Sequence, residues 1–523
     1  FCSVMGKICC TMRLLVLGLL SLVFAGVSAT ADGPQPNFVF ILTDDQDKVL
    51  DGMLPLTETI ARVGDKGATF SNAFVASPLC CPSRSSLLTG RHVHNHGAFN
   101  NTPSGQCSGL EWQAGPETQT FAVSLQEAGY TTFYAGKYLN AYGQHAVGGV
   151  EHIPPGYDHW MGLVGNSRYY NYTLSVDGVA EMHGDNFEDD YLTNIIRKRG
   201  MDFLESADLN NPFLLVLSTP APHDPFTPEP KYSSNFSDLQ APRTPSFNIV
   251  NGEDKNWFLK QGPQPLSDDV IANVDEIFRM RLQTLLTVDD MVKDVLVFLE
   301  DNNILDNTFV IFTSDHGYHL GQFSLPTDKR EPYETDIRVP LLISGPGIEA
   351  GIHIDYGTIN IDLAPTIIDL AGIPIPEYMD GLSLKPLLLG STDQSKTKAW
   401  TSRTMLVEHM GEGIPQGSNP QCEDAIEGMC WCKPYLACKC EDHPYNTYSC
   451  IRHVAEQKDG VFCKWSNEGY YDHDYNFEEY YNLKIDPHQL NNSVSTLPSE
   501  EYDAMLLLLQ TLKACKGSEC IWE

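Results

Sequence analysis

Basic residues are scarce in this chain: 523 residues carry 34 Lys and Arg against 68 Asp and Glu, for a formal net charge of −34. Such a balance repels polyanions, which excludes nucleic acid and anionic membranes as principal partners. Also missing is any apolar run beyond residue 31 long enough to cross a bilayer, and there is no internal repeat or low-complexity tract. What remains, 42% hydrophobic with 10% aromatic residues, is ordinary for a globular protein with a large core.

The one long apolar stretch, Leu14 to Val27, follows Met12-Arg13 and ends in Ser28, Ala29, Thr30 and Ala31. That is the order of a cleavable signal peptide, so residues 1–31 read as leader and signal peptide, removed near Ala29 or Ala31. Asn-x-Ser/Thr triplets at Asn100, Asn171, Asn235 and Asn491 are candidate glycosylation sites on the secretory route this implies. Of 15 cysteines, Cys2, Cys9 and Cys10 fall in the leader, leaving twelve for an oxidising compartment where disulfides are the expected use. Their connectivity is not readable, except that Cys515 and Cys520 can close a short loop. Zinc is the alternative for Cys430-x-Cys432 and Cys438-x-Cys440, although one-residue spacing suits a paired knuckle poorly.

Phe38 to Thr43 is a short apolar run entering the acidic cluster Asp44-Asp45, the pattern of a buried parallel strand that delivers carboxylates at its C-terminal edge. Three later runs repeat the design: Thr131 to Ala135 before Lys137, Phe213 to Ser218 before His223, and Phe309 to Thr313 before Asp315-His316. Helical periodicity separates them at Thr120 to Ala128, Tyr191 to Ser206 and Asp269 to Glu300, so the arrangement predicts an α/β sandwich. From about residue 396 cysteines cluster and short strands are expected at Thr404 to Val407, Ser449 to Val454 and Glu479 to Leu483, with a helix from Glu500 to Lys513. Gly143 to Pro155 and Asn235 to Gln264 read as loops on a pocket rim. His92, His94 and His96 alternate, and read as a polar rim rather than a metal cluster.

Cys80-Cys81-Pro82-Ser83-Arg84 leads to Leu88-Thr89-Gly90-Arg91. Pro82 is tolerated only in a first helical turn and Gly90 marks a helix end, which puts Cys80 at the positive N-terminus with Arg84 one turn on. At every fixed position of Cys-x-Pro-Ser-Arg-x-x-x-Leu-Thr-Gly-Arg this stretch resembles the signature of the sulfatase family. The resemblance extends through Leu42 to Asp47, Gly136 to Asn140, Thr313 to His319 and Gly321 to Pro326.

The resemblance implies an α/β, alkaline-phosphatase-like sandwich. A large mixed, mostly parallel sheet would lie between helices in a catalytic domain at 32–395, with a cysteine-rich C-terminal subdomain at 396–523 holding a short antiparallel sheet and a helix. It further implies that a formylglycine-generating enzyme oxidises Cys80 to formylglycine, whose hydrate attacks sulfur with one hydroxyl and expels sulfate with the other. One calcium ion would be held by Asp44, Asp45, the modified Cys80, Asp315 and His316; the histidine leaves magnesium or manganese open. Arg84, Lys137 and Lys329 would hold the hydrate or the sulfate, and His223 would protonate the leaving oxygen. Many family members have a histidine where this chain has Leu139, so no base is assigned there; Asn140 is a candidate substrate contact, as are His319 and His409. With Cys80 set aside, eleven cysteines remain, and the simplest pairing leaves Cys81 free and forms five disulfides from Cys107 and the nine C-terminal cysteines.

Within the family, the resemblance points to enzymes that remove the 6-O-sulfate of N-acetylglucosamine from heparan and keratan sulfate, in the lysosome or after secretion. The absence of a long basic insertion favours action at chain ends over the endosulfatase mode. Broader arylsulfatase specificity, a phosphoester hydrolase on the same fold, and a catalytically dead glycan-binding glycoprotein stand as alternatives, and a homodimer is left open.

Overall fold

The computed structural model describes residues 34–390, 398–413, 419–422, 425, 428–466 and 476–521. The signal-peptide reading of 1–31 and the expected boundary at 395/396 lie outside the described residues.

Strand β1 (Asn37–Thr43) explains the layering. Its side chains alternate, so Phe38, Phe40 and Leu42 enter one apolar cluster while Val39 and Ile41 enter another on the opposite face. A strand buried on both faces needs cover on both faces. Nine more strands complete the sheet: β2 (Ala68–Phe74), β3 (Thr131–Gly136), β4 (His159–Leu163), β5 (Thr173–Val176), β6 (Val179–Met182), β7 (Phe213–Ser218), β8 (Thr308–Ser314), β9 (Leu341–Ser344) and β10 (Ile352–Ile359). Their order is β10-β2-β9-β8-β1-β7-β3-β4-β5-β6. The central strands β8, β1, β7, β3 and β4 are parallel, whereas β9 and the β5–β6 hairpin run against their neighbours.

Helices α1 (Cys80–Thr89), α2 (Phe121–Glu127) and α5 (Leu363–Leu370) cover the Phe38 face; α3 (Leu192–Ser206) and α4 (Asp268–Asp301) cover the Val39 face. In-register pairing of Thr43 with Ser314, and of Gly136 with Ser218, brings the residues that follow four strands to one sheet edge. No helix of the described residues is long and apolar enough to cross a membrane.

A second, antiparallel sheet follows, in the order β11 (Ser402–His409), β12 (Tyr448–Ala455), β13 (Asp459–Ser466) and β14 (Asn476–Asn482). Leu406, Ile451 and Phe462 on one face pack against Met505, Leu509 and Leu512 of α6 (Ser499–Ala514). Met405, Val407, Cys450 and Val461 on the other face join the core of the large sheet.

Among the described residues five disulfides form, as the cysteine count suggests, but the odd cysteine is not the expected one. Cys81 pairs with Cys107, and among the described residues Cys430 is the free thiol in addition to Cys80, and is buried. Consecutive helical residues point to different sides, so Cys80 faces the sheet edge while Cys81 reaches the loop that carries Cys107. Cys450–Cys463 joins directly paired residues of β12 and β13, and Cys515–Cys520 closes the short loop. Cys422–Cys438 and Cys432–Cys440 consume thiols that a zinc site would need.

Candidate active site

Leu79 is extended, Ser83 N–H donates to Leu79 O to close the first turn, and Gly90 ends α1 at φ +67°. Glycine is required there, since the left-handed region disfavours a Cβ. Cys80 is the first helical residue, with no exposed surface. Its Sγ lies 3.3 Å from His316 Nε2. His316 donates from Nδ1 to Gly317 O (2.9 Å), which leaves the Nε2 lone pair turned toward Cys80, Asp45 and Asp315 in the neutral ring.

Arg84 ties the strand ends together. Its Nε donates to Asp315 Oδ2 (2.8 Å), its Nη1 to Lys137 O (2.8 Å) and Ser218 Oγ (2.9 Å), and its Nη2 stands 3.3 Å from Asp44 Oδ1. Lys137 Nζ donates to both oxygens of Asp44 (2.9 and 2.7 Å), and Lys329 Nζ to both of Asp45 (2.9 and 2.8 Å). Gly136, before Lys137, has φ +108° and no room for a side chain: a Cβ there would lie 1.8 Å from Ser218 O. His223 donates from Nδ1 to Asp224 O (2.6 Å) and places Nε2 3.9 Å from Asp45 Oδ2.

Charges are strongly displaced. Burial would raise Asp44, but Lys137, His223 and Arg84 outweigh it and hold the carboxyl well below its ordinary range. Asp45 is likewise held low, against burial, by His223 and Lys329. Burial pushes Asp315 up to about 6 despite His316 and Arg84, with Asp44 adding repulsion. Burial would lower His316, yet Asp315 and Cys80 bring it to about 9. The Cys80 thiol falls well below its usual value, because Lys137, Lys329 and His316 overcome burial.

Ligand atoms of Asp44, Cys80, Asp315 and His316 lie within 4.8 Å of one another, and those of Asp44, Asp45, Cys80 and His223 form a second such group. This donor set fits a hard divalent cation. Its carboxylates are oxygen donors, His316 in its neutral form would turn the Nε2 lone pair to an ion that displaces the proton, and a carboxyl displaced upward to about 6 is short of positive charge.

A cavity of about 520 Å³ opens over this cluster, lined by Asp45, His223, Lys329 and Asn140 among the expected residues. Asn140 keeps its buried Oδ1 without a hydrogen-bond partner. His319 is not on this wall; its Nδ1 turns to Asp336 (3.0 Å), and His409 Nε2 turns to Asp442 (3.2 Å). Gln144 of the first loop lines the cavity, whereas the 235–264 loop contributes nothing to it and instead pairs, strand-like, through Phe247 with Gln322. The three alternating histidines are also off the rim. His92 and His96 are buried and His94 bonds to Glu408 and Cys515 O, because the C-terminal sheet and helix cover that turn. Asn171, Asn235 and Asn491 are exposed, while Asn100 is half-buried and its Oδ1 accepts from Thr102 N–H and Oγ1–H.

Several residues of the site have no sequence reading. Ser167 donates to Asp44 Oδ2, and Arg281 of α4 donates to Asp45 O (2.7 Å) and Asp47 Oδ1 (3.0 Å). On the cavity wall, Arg330 pairs with Asp328 and with Glu412 (3.0 Å). A signal existed for Arg281, a charge inside the apolar stripe of a long helix, and for Asp328 and Arg330, which flank Lys329.

A buried cysteine at a helix N-terminus, ringed by carboxylates and cations at the edge of a mixed sheet, is a setting suited to hydrolysis of an anionic ester. Residues 36–373 match the Sulfatase family, and the chain belongs to that family and is a sulfatase. Its relatives narrow the class. The N-acetylglucosamine-6-sulfatase of Capra hircus is 45% identical over 95% of this chain and 86% of its own length, and that of Homo sapiens 44% identical over 97% and 89%. An extracellular sulfatase SULF-1 homolog of Drosophila melanogaster is 42% identical over 74% of this chain but only 34% of its own length. Among solved structures, a chain in complex with its substrate D-glucosamine-2-N,6-O-disulfate shares the fold with a TM-score of 0.69 at 24% identity, covering 92% of this chain and 98% of that one.

Proposed function

We propose that this sulfatase removes the 6-O-sulfate from N-acetylglucosamine at the ends of heparan or keratan sulfate, in the lysosome or outside the cell, with formylglycine made from Cys80 by a formylglycine-generating enzyme and with one calcium ion. The observation that carries this reading is the placing of Cys80 at the N-terminus of α1, within reach of His316 and among Lys137, Lys329 and three buried aspartates. The similarity to N-acetylglucosamine-6-sulfatases over nearly their whole length supports the choice of sugar.

Asp44, Asp45, Asp315 and His316 would hold the cation, which when bound would supply positive charge to a sulfuryl oxygen and acidify the nucleophile. Formylglycine supplies a geminal diol in place of a thiol. Lys137 and Lys329, fixed by their aspartates, face the remaining sulfuryl charge, and Arg84 orients Asp315 and Asp44. His223 has its Nδ1 proton anchored on Asp224 O, so Nε2 is the atom that delivers a proton to the departing sugar oxygen; burial opposes its charging, but Asp45 keeps it readily protonated. Asn140 Oδ1 and the Asp328–Arg330–Glu412 group offer polar atoms to the sugar hydroxyls.

Protein from a secretory host, digested and trapped with a hydrazide, is expected to show an aldehyde at position 80 and to release sulfate from N-acetylglucosamine 6-sulfate. A thiol at position 80 in protein that nevertheless cleaves this ester would sink the nucleophile assignment. An aldehyde with no turnover of glucosamine sulfates would sink the substrate.

A further inference from the structure

Trp431 is 48% exposed, and it lines the same cavity as Asp45, His223 and Lys329. Its backbone φ is +59°, a region disfavoured for bulky side chains. The segment around it is cross-linked beyond what a surface loop needs. Cys432–Cys440 and Cys422–Cys438 staple it, and bridges pair Cys430 with Asp442 and Lys433 with Lys439. Cys430 N–H donates to Asp442 O and Glu441 N–H to Cys430 O, both at 3.1 Å. An indole is thus held outward, at the mouth, by a frame that gives it little freedom to fold back onto the protein.

In the function proposed above the sulfate binds at Asp45, His223 and Lys329, which line this cavity and are nearly fully buried. Buried Asn140 Oδ1 awaits a donor such as a sugar hydroxyl. A terminal sulfated sugar therefore occupies the inner part, and a cavity of about 520 Å³, within the range that holds drug-sized ligands, extends beyond one pyranose ring. At the mouth, Lys433 is engaged by Glu441 Oε1 at 2.5 Å, so the cation nearest in sequence to Trp431 is already paired. An indole face is what remains for a ring whose C–H groups form an apolar surface and whose hydroxyls stay in water.

Given the glycan-end substrate proposed above, we propose that Trp431 is the stacking platform for the second sugar, the one to which the sulfated residue is attached. It contributes binding to oligosaccharides and nothing to the monosaccharide.

The test compares the parent with Trp431→Ala and Trp431→Phe on N-acetylglucosamine 6-sulfate and on a trisaccharide ending in that residue, reading sulfate release. Trp431→Ala is expected to raise KM for the trisaccharide about tenfold with kcat unchanged, and to leave the monosaccharide within about twofold; Trp431→Phe recovers most of the trisaccharide binding. Equal losses on both substrates, or no loss on either, overturn the platform. Tryptophan fluorescence titrated with the desulfated trisaccharide reads the contact without turnover: a change in the parent that disappears in Trp431→Ala supports it, and its absence in the parent overturns it. The fluorescence result stands even if neither substrate is hydrolysed, an outcome that would count against the proposed function alone.

Discussion

Arg84 holds Asp315, Lys137 O and Ser218 together while facing Asp44, four points at the C-terminal ends of four strands, β8, β3, β7 and β1. Lysine carries the charge but not the fork, so Arg84→Lys is expected to lower kcat at least about 100-fold and to destabilise the fold by about 3 kcal/mol, read by sulfate release and by urea denaturation. In the proposed mechanism His223 protonates the leaving oxygen, so the effect of its loss depends on that oxygen. His223→Gln should slow hydrolysis of the sugar sulfate far more than that of an aryl sulfate, whose phenolate needs no proton; equal slowing would remove the acid role. At this scale the sequence was informative because most of these residues follow strand ends or sit in one signature. Ser167 and Arg281 escaped since their partner, the Asp44–Asp45 turn, lies more than a hundred residues away in the chain.

The turn after α1 shows what element packing adds. His96 is neutral, with Nδ1 accepting from Ala98 N–H and Nε2 facing Ser86, and burial, Arg91 and His94 depress it to about 3. The unfolded chain takes up a proton near pH 6.5 that the folded chain refuses, so this group removes stability as pH falls from there toward 3. At pH 4.5 the loss is about 2–3 kcal/mol. His94 has the opposite sign, since Glu408 raises it against burial: its contribution is full below the ordinary histidine range and is lost as pH rises through the raised value. His96→Gln is therefore expected to flatten the fall in urea-denaturation stability between pH 7 and 4.5, whatever its effect at neutral pH. Central strands β1, β3, β7 and β8 and helices α3, α4 and α6 were legible because long apolar patterns define them. The short strands β4, β5, β6 and β9 were not, being fixed by their neighbours, and neither was the covering of His92 to His96 by a C-terminal sheet hundreds of residues away. Cysteine parity likewise predicted a free thiol besides Cys80 but not that it is Cys430: the Cys81–Cys107 bridge removes Cys81, and the four C-terminal bridges leave Cys430 over.

The molecule as a whole carries −34, so it repels the sulfated glycan it is proposed to cleave. Raising ionic strength from about 10 to about 150 mM shortens the Debye length from about 30 to about 8 Å and is expected to lower KM for a sulfated oligosaccharide, the reverse of an electrostatically steered enzyme. Acid chemistry also concentrates at the sheet edge, where chelation should abolish activity and lower Tm, and calcium should restore both if the buried carboxylates hold it. Cys80 lies beneath all of this with no exposed surface, next to a residue already committed to Cys107. If Cys80 is converted to formylglycine as proposed, the modifying enzyme reaches it only while the chain is still open, in a race between modification and closure of the sheet. Once closed, an unmodified copy has no way back. Specific activity then records how a batch was made: two preparations with the same Tm can differ severalfold in turnover, and slower synthesis in a host rich in the modifying enzyme should raise the active fraction without changing the fold.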